Sequence, residues 1–380
     1  MVSTRKNIVF LTGTRADFGK LKSIIRILNE DSGYQVSLFV TGMHMLRQYG
    51  FTVDEVEKSK ICRNRNIYKY INQNLSDSMD IVLSKTIQGF SDYIKECSPD
   101  LIVVHGDRVE ALAGAIVGSL NNIRVAHIEG GEVSGTIDEL IRHAVSKMAH
   151  IHFVANNDAK QRLIQLGERS DNVFVIGSPD FDIMASDELP SIDEVKSRYT
   201  IKFDDYAIAL FHPVTTELKQ VREHTANLIA ALKATDEKYV VIYPNNDSGA
   251  DTIIEQIDAL RGDPQFRVFA SMRFEYFLSL LKSARFIVGN SSAGVREAPF
   301  YGVPSINIGT RQANRAIGDS IINCSQEPSD IKAAIERHGQ LKRKRSTQFG
   351  KGNSNRLFKQ VLDDTAIWAT DIQKQFVDIN

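Results

Sequence analysis

Three carboxylates stand at the ends of apolar segments within one short stretch of the chain. Asp107 closes Leu101-Ile-Val-Val-His-Gly-Asp107, Glu129 closes Arg124-Val-Ala-His-Ile-Glu129, and Asp138 opens a helical pattern in Gly135-Thr-Ile-Asp138. In an α/β sheet the end of an apolar strand is the carboxyl edge, where ligands bind. Carboxylates gathered at such an edge suit proton transfer. His105 precedes Asp107 by two residues and His127 precedes Glu129 by two, so each pair shares one strand face. Histidine beside a carboxylate can ligate zinc or manganese. No third cluster has a metal-motif spacing, however, and the favoured reading is that His105 and His127 are core histidines orienting the carboxylates. His143, His150 and His152 fall at element boundaries and read as structural. Glu132 reads as a cap or loop residue. Arg142 follows Asp138 by four residues, so on a helix the two can meet. Such a pair would hold Asp138 in its charged form, and a plain surface pair fits the same spacing.

A second group of residues suits anions. Gly13-Thr-Arg15-Ala-Asp17 joins a strand to a helix: Gly13 allows a tight turn, the helix start offers free N–H groups, and Arg15 adds a fork for phosphate. Gly13 and Gly19 are wrongly spaced for the dinucleotide fingerprint. Val288-Gly-Asn-Ser291-Ser292-Ala-Gly294-Val-Arg-Glu297 is the strongest anion signal. Small residues let a diphosphate approach the backbone, two hydroxyls can donate, and a helix is expected to begin there. Glu297, roughly one turn into that helix, is placed to accept from ribose hydroxyls. Gly309-Thr-Arg311 adds another fork, and Phe211-His212-Pro213 and Tyr243-Pro-Asn245 follow strands in the same half. Together these describe a nucleotide-diphosphate site, with the carboxylates expected to face it across a cleft.

The elements that must carry these residues alternate. Candidate strands Ile8–Thr12, Gln35–Thr41, Leu101–His105, Val125–Ile128, Ile151–Ala155 and Val173–Ile176 are interleaved with candidate helices Ala16–Asn29, Ser78–Cys97, Arg108–Leu120, Ile137–Ala149 and Asp158–Leu166. The strands are apolar without alternation, as parallel strands covered on both faces are. A polar stretch from Met184 to Asp205 reads as a linker. A second series follows, with strands at Ala207–Phe211, Tyr239–Tyr243, Arg267–Ala270, Phe286–Val288 and Ser305–Ile308. The expected class is α/β, with two Rossmann-like, doubly wound domains facing across a cleft. Residues 1–182 form the first domain with the acids and 183–353 the second, nucleotide-binding domain. A C-terminal helix, 354–380, with Trp368, is expected to pack back on the first.

Composition narrows the partners. The chain has 380 residues, 42% of them hydrophobic and 24% charged, as in globular proteins, and a net charge of −1. That balance gives no footprint for nucleic acid or anionic lipid. The run Lys342-Arg-Lys-Arg345 reads as a solvated face. Cys62, Cys97 and Cys324 are odd in number and far apart, which favours a reducing cytoplasm over a disulfide framework. The first apolar run, Ile8 to Leu11, is too short for a signal-peptide core, and no apolar stretch is long enough for a bilayer. A soluble substrate follows, with no membrane partner.

At these motifs the chain resembles the hydrolysing UDP-N-acetylglucosamine 2-epimerases, and among them the bacterial sialic acid pathway enzymes. The segments that carry the resemblance run nearly the whole chain in order: Gly13-Thr-Arg-Ala-Asp-Phe-Gly19, Val104-His-Gly-Asp-Arg108, His127-Ile-Glu-Gly-Gly-Glu132, Ser134-Gly-Thr-Ile-Asp138, Phe211-His-Pro-Val-Thr-Thr216 and Gly289-Asn-Ser-Ser292. The resemblance implies a GT-B-like fold, no cofactor, a homo-oligomer (dimer or tetramer), and conversion of UDP-N-acetylglucosamine to N-acetylmannosamine and UDP through elimination to 2-acetamidoglucal and addition of water. It implies Asp107, Glu129 and Asp138 as catalytic acids. Arg15, Ala16, Arg108, His212, Asn245, Met272, Ser291, Ser292, Glu297 and Arg311 match positions that hold UDP. The non-hydrolysing branch has Gly-Thr-Arg-Pro-Glu in place of Gly13-Thr-Arg-Ala-Asp17, and a Gln-His-Arg stretch in place of Gly42-Met-His-Met-Leu46. Both departures favour hydrolysis. The same chemistry on UDP-2,4-diacetamido-2,4,6-trideoxyglucose and a GT-B glycosyltransferase stay open as alternatives.

Overall fold

The computed structural model describes residues 5–62, 66–74, 77–134, 137–244, 248–312 and 318–378. The chain divides into two compact units. Unit 1 comprises Met1–Val133, Ile137–Ala185 and Gln348–Asn380, and unit 2 comprises Ser186–Thr347 with Ser134–Thr136. Apart from that short excursion, the chain crosses after Ala185 and after Thr347, where the sequence suggested 182 and 353. The second shift has a clear cause. Phe349 is already bound to unit 1, its carbonyl accepting from the Ser178 amide at 2.6 Å, and Gly350 lies against Phe181 and Ser178.

Unit 1 holds strands β1 (Lys6–Thr12), β2 (Tyr34–Val40), β3 (Ile67–Lys69), β4 (Leu101–His105), β5 (Arg124–Ile128), β6 (Ile151–Val154) and β7 (Val173–Val175). All pair in parallel in the order β3-β2-β1-β4-β5-β6-β7. Its helices are α1 (Arg15–Asn29), α2 (Val53–Lys58), α3 (Met79–Cys97), α4 (Val109–Leu120), α5 (Ile137–Met148), α6 (Asn157–Gln165) and α7 (Asp180–Met184). Successive residues of β1 feed opposite cores. Ile8 and Phe10 pack with Leu21, Ile24 and Ile25 of α1, while Val9 and Leu11 pack with Phe90 of α3 and Val117 of α4. Two apolar faces on one strand explain the unbroken apolar run.

Unit 2 repeats the plan. Helix α8 (Ile192–Tyr199) leads into β8 (Ala207–Leu210), α9 (Val221–Lys233), β9 (Tyr239–Ile242), α10 (Ala250–Asp258), β10 (Phe266–Phe269), α11 (Phe274–Lys282), β11 (Ile287–Gly289), α12 (Glu297–Tyr301), β12 (Ser305–Ile308), β13 (Ile321–Cys324) and α13 (Pro328–Glu336). The sheet order is β10-β9-β8-β11-β12-β13, again parallel. In both sheets the order reverses beside the first strand of the unit, between β1 and β4 and between β8 and β11. Crevices outside these reversal points are where open α/β sheets take ligands.

Strands β3 and β13 were not expected from the sequence. Both are edge strands: β3 buries Ile67 alone, and none of the four residues of β13 is fully buried. The C-terminal segment also differs. Helix α14 (Ser354–Asp363) returns to unit 1, where Phe358 and Leu362 join the α1 side of the core. It stops at Asp363, because Asp364 turns extended and caps a short 3₁₀ segment, Thr365–Ala369, through the Ala366 amide. Trp368 donates to the Leu362 carbonyl at 2.8 Å.

Candidate active site

The turn after β1 is built by reciprocal capping. Thr14 Oγ1 accepts from the Asp17 amide, and Asp17 Oδ2 accepts from the Gly13 amide, both at 3.1 Å. The other Asp17 oxygen lies 3.0 Å from Nδ1 of His105, at the end of β4. Nε2 of His105 lies 3.1 Å from Oε2 of Glu129, which follows β5. Burial alone would lower the His105 pKa, but the Glu129 and Asp17 carboxylates overcome it and raise it to about 9. His105 is therefore an imidazolium at neutral pH, bridging two carboxylates. Lys20, from α1, places Nζ 3.1 Å from Glu129 Oε2 and 3.6 Å from the fully buried Asp180. Ser178 donates to Glu129 Oε1. Both oxygens of Glu129 are thus held by donors. Its backbone sits at φ 64°, in the left-handed region, a conformation that costs about 1–3 kcal/mol in a residue with a side chain.

Asp107 is fixed from two sides. Nε2 of His127 donates to the Gly106 carbonyl at 2.8 Å, and Nδ1 accepts from Ser146 of α5 at 2.9 Å. Burial pushes His127 down to about 3, so it is neutral and holds the Gly106 turn as a hydrogen-bonding strut. Arg142, also of α5, donates through Nη2 to Asp107 and through Nη1 to the Glu132 carbonyl at 3.1 Å. The spacing pointed Arg142 at Asp138; the structure also joins it to Asp107, at the end of β4, in an ion pair. Asp138, Arg142 and Ser146 follow at i, i+4 and i+8 and so form one stripe. Asp138 itself is exposed in the first turn of α5.

The phosphate-type residues of unit 1 are engaged with carboxylates. Arg15 grips Glu55 of α2 with two nitrogens, Nε at 2.9 Å from Oε2. This is the bidentate geometry expected for it with phosphate. Ala16 is exposed beside it. Arg108 Nε lies 3.7 Å from the buried Glu110.

In unit 2 the loops after β8 and β11 are tied by a two-way amide pair. Asn290 Oδ1 accepts from the His212 amide at 2.7 Å, and its Nδ2 donates to the His212 carbonyl at 2.8 Å. The Asn290 carbonyl accepts from Arg311 and Gln312, each at 3.2 Å. Burial pushes His212 down to about 3, and nearby Arg311 works in the same direction. Gly289, at φ 139°, brings the backbone so near the Leu210 carbonyl that a Cβ would lie 2.0 Å from its oxygen. The helix expected at Ser291 is instead a 3₁₀ turn, Ser292–Gly294, capped by Ser291 Oγ. The short helix α12 begins only at Glu297, which is therefore its first residue and buried. Closely spaced backbone amides, rather than a long helix dipole, are what this loop offers an anion. Met272 packs partly buried on the unit 2 core. Asn245 lies outside the described residues.

Sequence reasoning missed Lys20, Ser178, Asp180 and Asn290 as members of these clusters. Asn290 stands inside the Val288–Glu297 motif, and Lys20 directly follows Gly13–Gly19. Ser178 and Asp180 carry no local signal, since their contacts come from distant segments.

A family described as UDP-N-acetylglucosamine 2-epimerase matches residues 26–363. The UDP-N-acetylglucosamine 2-epimerase of Neisseria meningitidis serogroup B is 45% identical over 379 residues, covering 99% of this chain and 100% of that one. The UDP-N,N'-diacetylbacillosamine 2-epimerase (hydrolyzing) of Legionella pneumophila is 32% identical, over 94% of this chain and 95% of its own length. Among solved structures, a UDP-GlcNAc 2-epimerase from Neisseria meningitidis bound to UDP-GlcNAc superposes with a TM-score of 0.80 at 17% identity, covering 94% of this chain and 100% of that chain. At that identity the likeness speaks for the fold.

Proposed function

We infer the reaction from one premise: this chain belongs to the UDP-N-acetylglucosamine 2-epimerase family. It is an enzyme of that type, and we assign it the hydrolysing reaction, UDP-N-acetylglucosamine and water giving N-acetylmannosamine and UDP. The observation that carries this reading is the pair of carboxylates at the ends of adjacent strands, Asp107 held by Arg142 and Glu129 held by Lys20, His105 and Ser178.

The chemistry asks for such a pair. The C-2 hydrogen of the sugar has no adjacent carbonyl and is barely acidic. Once the C-1 to phosphate bond begins to break, positive charge builds beside C-2 and the proton becomes removable. In the α-gluco sugar the phosphate oxygen and the C-2 hydrogen are trans-diaxial, so anti elimination gives UDP and 2-acetamidoglucal. Water then adds at C-1 while a proton enters C-2 from the opposite face, which sets the manno configuration. One group takes a proton from one face and a second supplies one to the other. Asp107 or Glu129 acts at C-2 and Asp138 near C-1; each such group contributes roughly 10²–10⁴-fold. The diphosphate is assigned to the Ser291–Gly294 turn and Arg311, with Arg15 and Arg108, and the ribose to Glu297. Donors fixed around the departing diphosphate stabilise the charge that develops on it.

A cytoplasmic setting is supported by Cys62, Cys97 and Cys324, all free thiols. Assembly as a homo-oligomer belongs to the same reading, supported by the apolar side chains that α3, α4 and α5 expose, Met79, Leu120 and Leu140 among them.

The test is turnover of UDP-N-acetylglucosamine in heavy water, followed by NMR. The expected products are UDP and N-acetylmannosamine deuterated at C-2. Release of UDP without label at C-2 rules out the elimination and points to glycosyl transfer. Inertness with this sugar and turnover of the 2,4-diacetamido-2,4,6-trideoxy analogue moves the substrate assignment.

A further inference from the structure

Glu129 is reached by charged groups from three elements: Lys20 of α1, His105 of β4 and, through Lys20, Asp180 of α7, with Asp17 behind His105. All of these act on Oε2 or beyond it. The donor on Oε1 is different in kind. It is the neutral hydroxyl of Ser178, a residue with no exposed surface. We propose that Ser178 is a positioning residue for the reaction, its hydroxyl fixing the orientation of the Glu129 carboxylate.

Three observations carry this. Ser178 sits in a short connection, between β7 and α7, yet its backbone is tied at both ends. Its amide donates to the Phe349 carbonyl at 2.6 Å, and its carbonyl accepts from the Ser354 hydroxyl at 3.3 Å and from the Phe181 amide at 3.1 Å. The C-terminal return thus clamps the residue that touches Glu129. Second, Glu129 itself has a left-handed backbone, so its side chain is aimed by a strained main chain that needs a fixed partner. Third, Lys20 and His105 both approach Oε2 while the Ser178 hydroxyl engages Oε1, so the two oxygens are held by different elements.

The inference rests on the proposed reaction for its kinetic arm and is independent of it in a second arm. In Ser178→Ala, kcat for UDP-N-acetylglucosamine should fall about tenfold to a hundredfold, the range for a hydrogen bond to a charged group. KM should change little. The acid limb of the kcat/KM profile should move to higher pH, because a carboxylate that loses a donor is easier to protonate. Ser178→Cys, with a weak donor of similar shape, should fall between. A Ser178→Ala enzyme with wild-type kcat and an unmoved acid limb overturns the proposal, as does a Cys variant as impaired as the Ala variant.

The second arm needs no turnover. A hydroxyl donor serves a carboxylate only while that carboxylate is ionised, so the stabilisation it adds is present above the unfolded glutamate pKa of about 4.3 and fades at lower pH. The Tm gap between wild type and Ser178→Ala should be widest at neutral pH and should narrow below it. A gap independent of pH overturns the proposal even if the substrate assignment is wrong. Wild-type inertness toward UDP-N-acetylglucosamine, with the narrowing gap present, faults the substrate assignment alone.

Discussion

The guanidinium of Arg142 joins Asp107 to the main chain of Glu132, donating to the carboxylate through one nitrogen and to the carbonyl, at 3.1 Å, through another. Two loops of the unit 1 edge are thereby set by one side chain from α5. Arg142 is nearly buried, whereas the Asp107 side chain retains 27% of its exposure, so the carboxylate keeps a solvent-facing side. Arg142→Met removes the cation and both donors. The expected loss in kcat is about a hundredfold, with Arg142→Lys less damaging to charge but unable to serve both acceptors. Asp107→Asn should abolish turnover and leave UDP affinity by calorimetry nearly intact. Loss of UDP binding in Asp107→Asn would make Asp107 structural rather than catalytic.

His105 gives the pH dependence an alkaline side. Its pKa is raised to about 9 by Glu129 and Asp17 against the opposing effect of burial. A group with a raised folded pKa stabilises fully below its unfolded value, about 6.5 for histidine, and loses that contribution as pH rises through the folded value. The Tm difference between wild type and His105→Gln should accordingly be constant below about pH 6 and should shrink towards pH 9–10. Thermal unfolding measured across that window decides it. A difference that does not change with pH means His105 is neutral in the fold.

In unit 2, Asn290 ties together the segments that carry His212 and Arg311. Its side chain closes the pair with the His212 backbone and its carbonyl receives Arg311 and Gln312. Asn290→Ala strips two hydrogen bonds from buried backbone groups, at a cost of about 2–4 kcal/mol in stability. UDP affinity should fall about tenfold or more, since Arg311 and the Ser291 turn lose their anchor. Asn290→Asp retains the acceptor for the His212 amide and loses the donor, so it should be intermediate in Tm. Equal UDP affinity in wild type and Asn290→Ala would separate this lattice from the nucleotide site.

Much of this was legible in the chain because burial leaves a linear trace. The runs Ile8–Leu11 and Leu101–Val104 announce strands covered on both faces, and their ends locate Asp107 and Glu129 without a structure. Strands β3 and β13 left no such trace, because an edge strand with one face exposed does not need an apolar run. Partnerships were less legible than positions. Spacing offered Arg142 only Asp138 on its own helix, whereas the fold also brings it Asp107 from a strand end, a partner that local spacing cannot show. Ser178 and Phe349 are far apart in sequence and meet only because α14 docks on α1 and the β1 core. The helix after Ser291 was over-read for a different reason. Small residues there serve close backbone approach, as Gly289 shows, and a 3₁₀ turn satisfies the same pattern.

The C-terminal tail makes the last testable claim, through Lys374. Its Nζ lies 2.6 Å from Glu168 Oε2 and donates to the carbonyls of Ser146, Lys147 and Ala149 at 3.1, 2.8 and 2.6 Å. These carbonyls belong to the end of α5, where a cation also meets the negative end of the helix dipole. The same helix carries Asp138, Arg142 and Ser146, so its axial position matters to Asp107. Glu168 is buried and also holds His152 and Lys147, each at 3.0 Å. Burial would raise its pKa, but His152 and Lys374 bring it down to about 2. Lys374→Met removes a cation from a buried carboxylate and caps from three carbonyls. The expected fall in Tm is roughly 5 °C or more at pH 7. A depressed carboxylate stabilises above its unfolded pKa of about 4.3 and stops doing so as pH falls towards its folded value. The deficit of Lys374→Met should therefore lessen below about pH 4. With α5 less firmly capped, kcat should fall while UDP affinity, to which no residue of α5 is assigned, holds. A variant with wild-type Tm at pH 7 would show that the tail is merely adjacent to α5 and does not brace it.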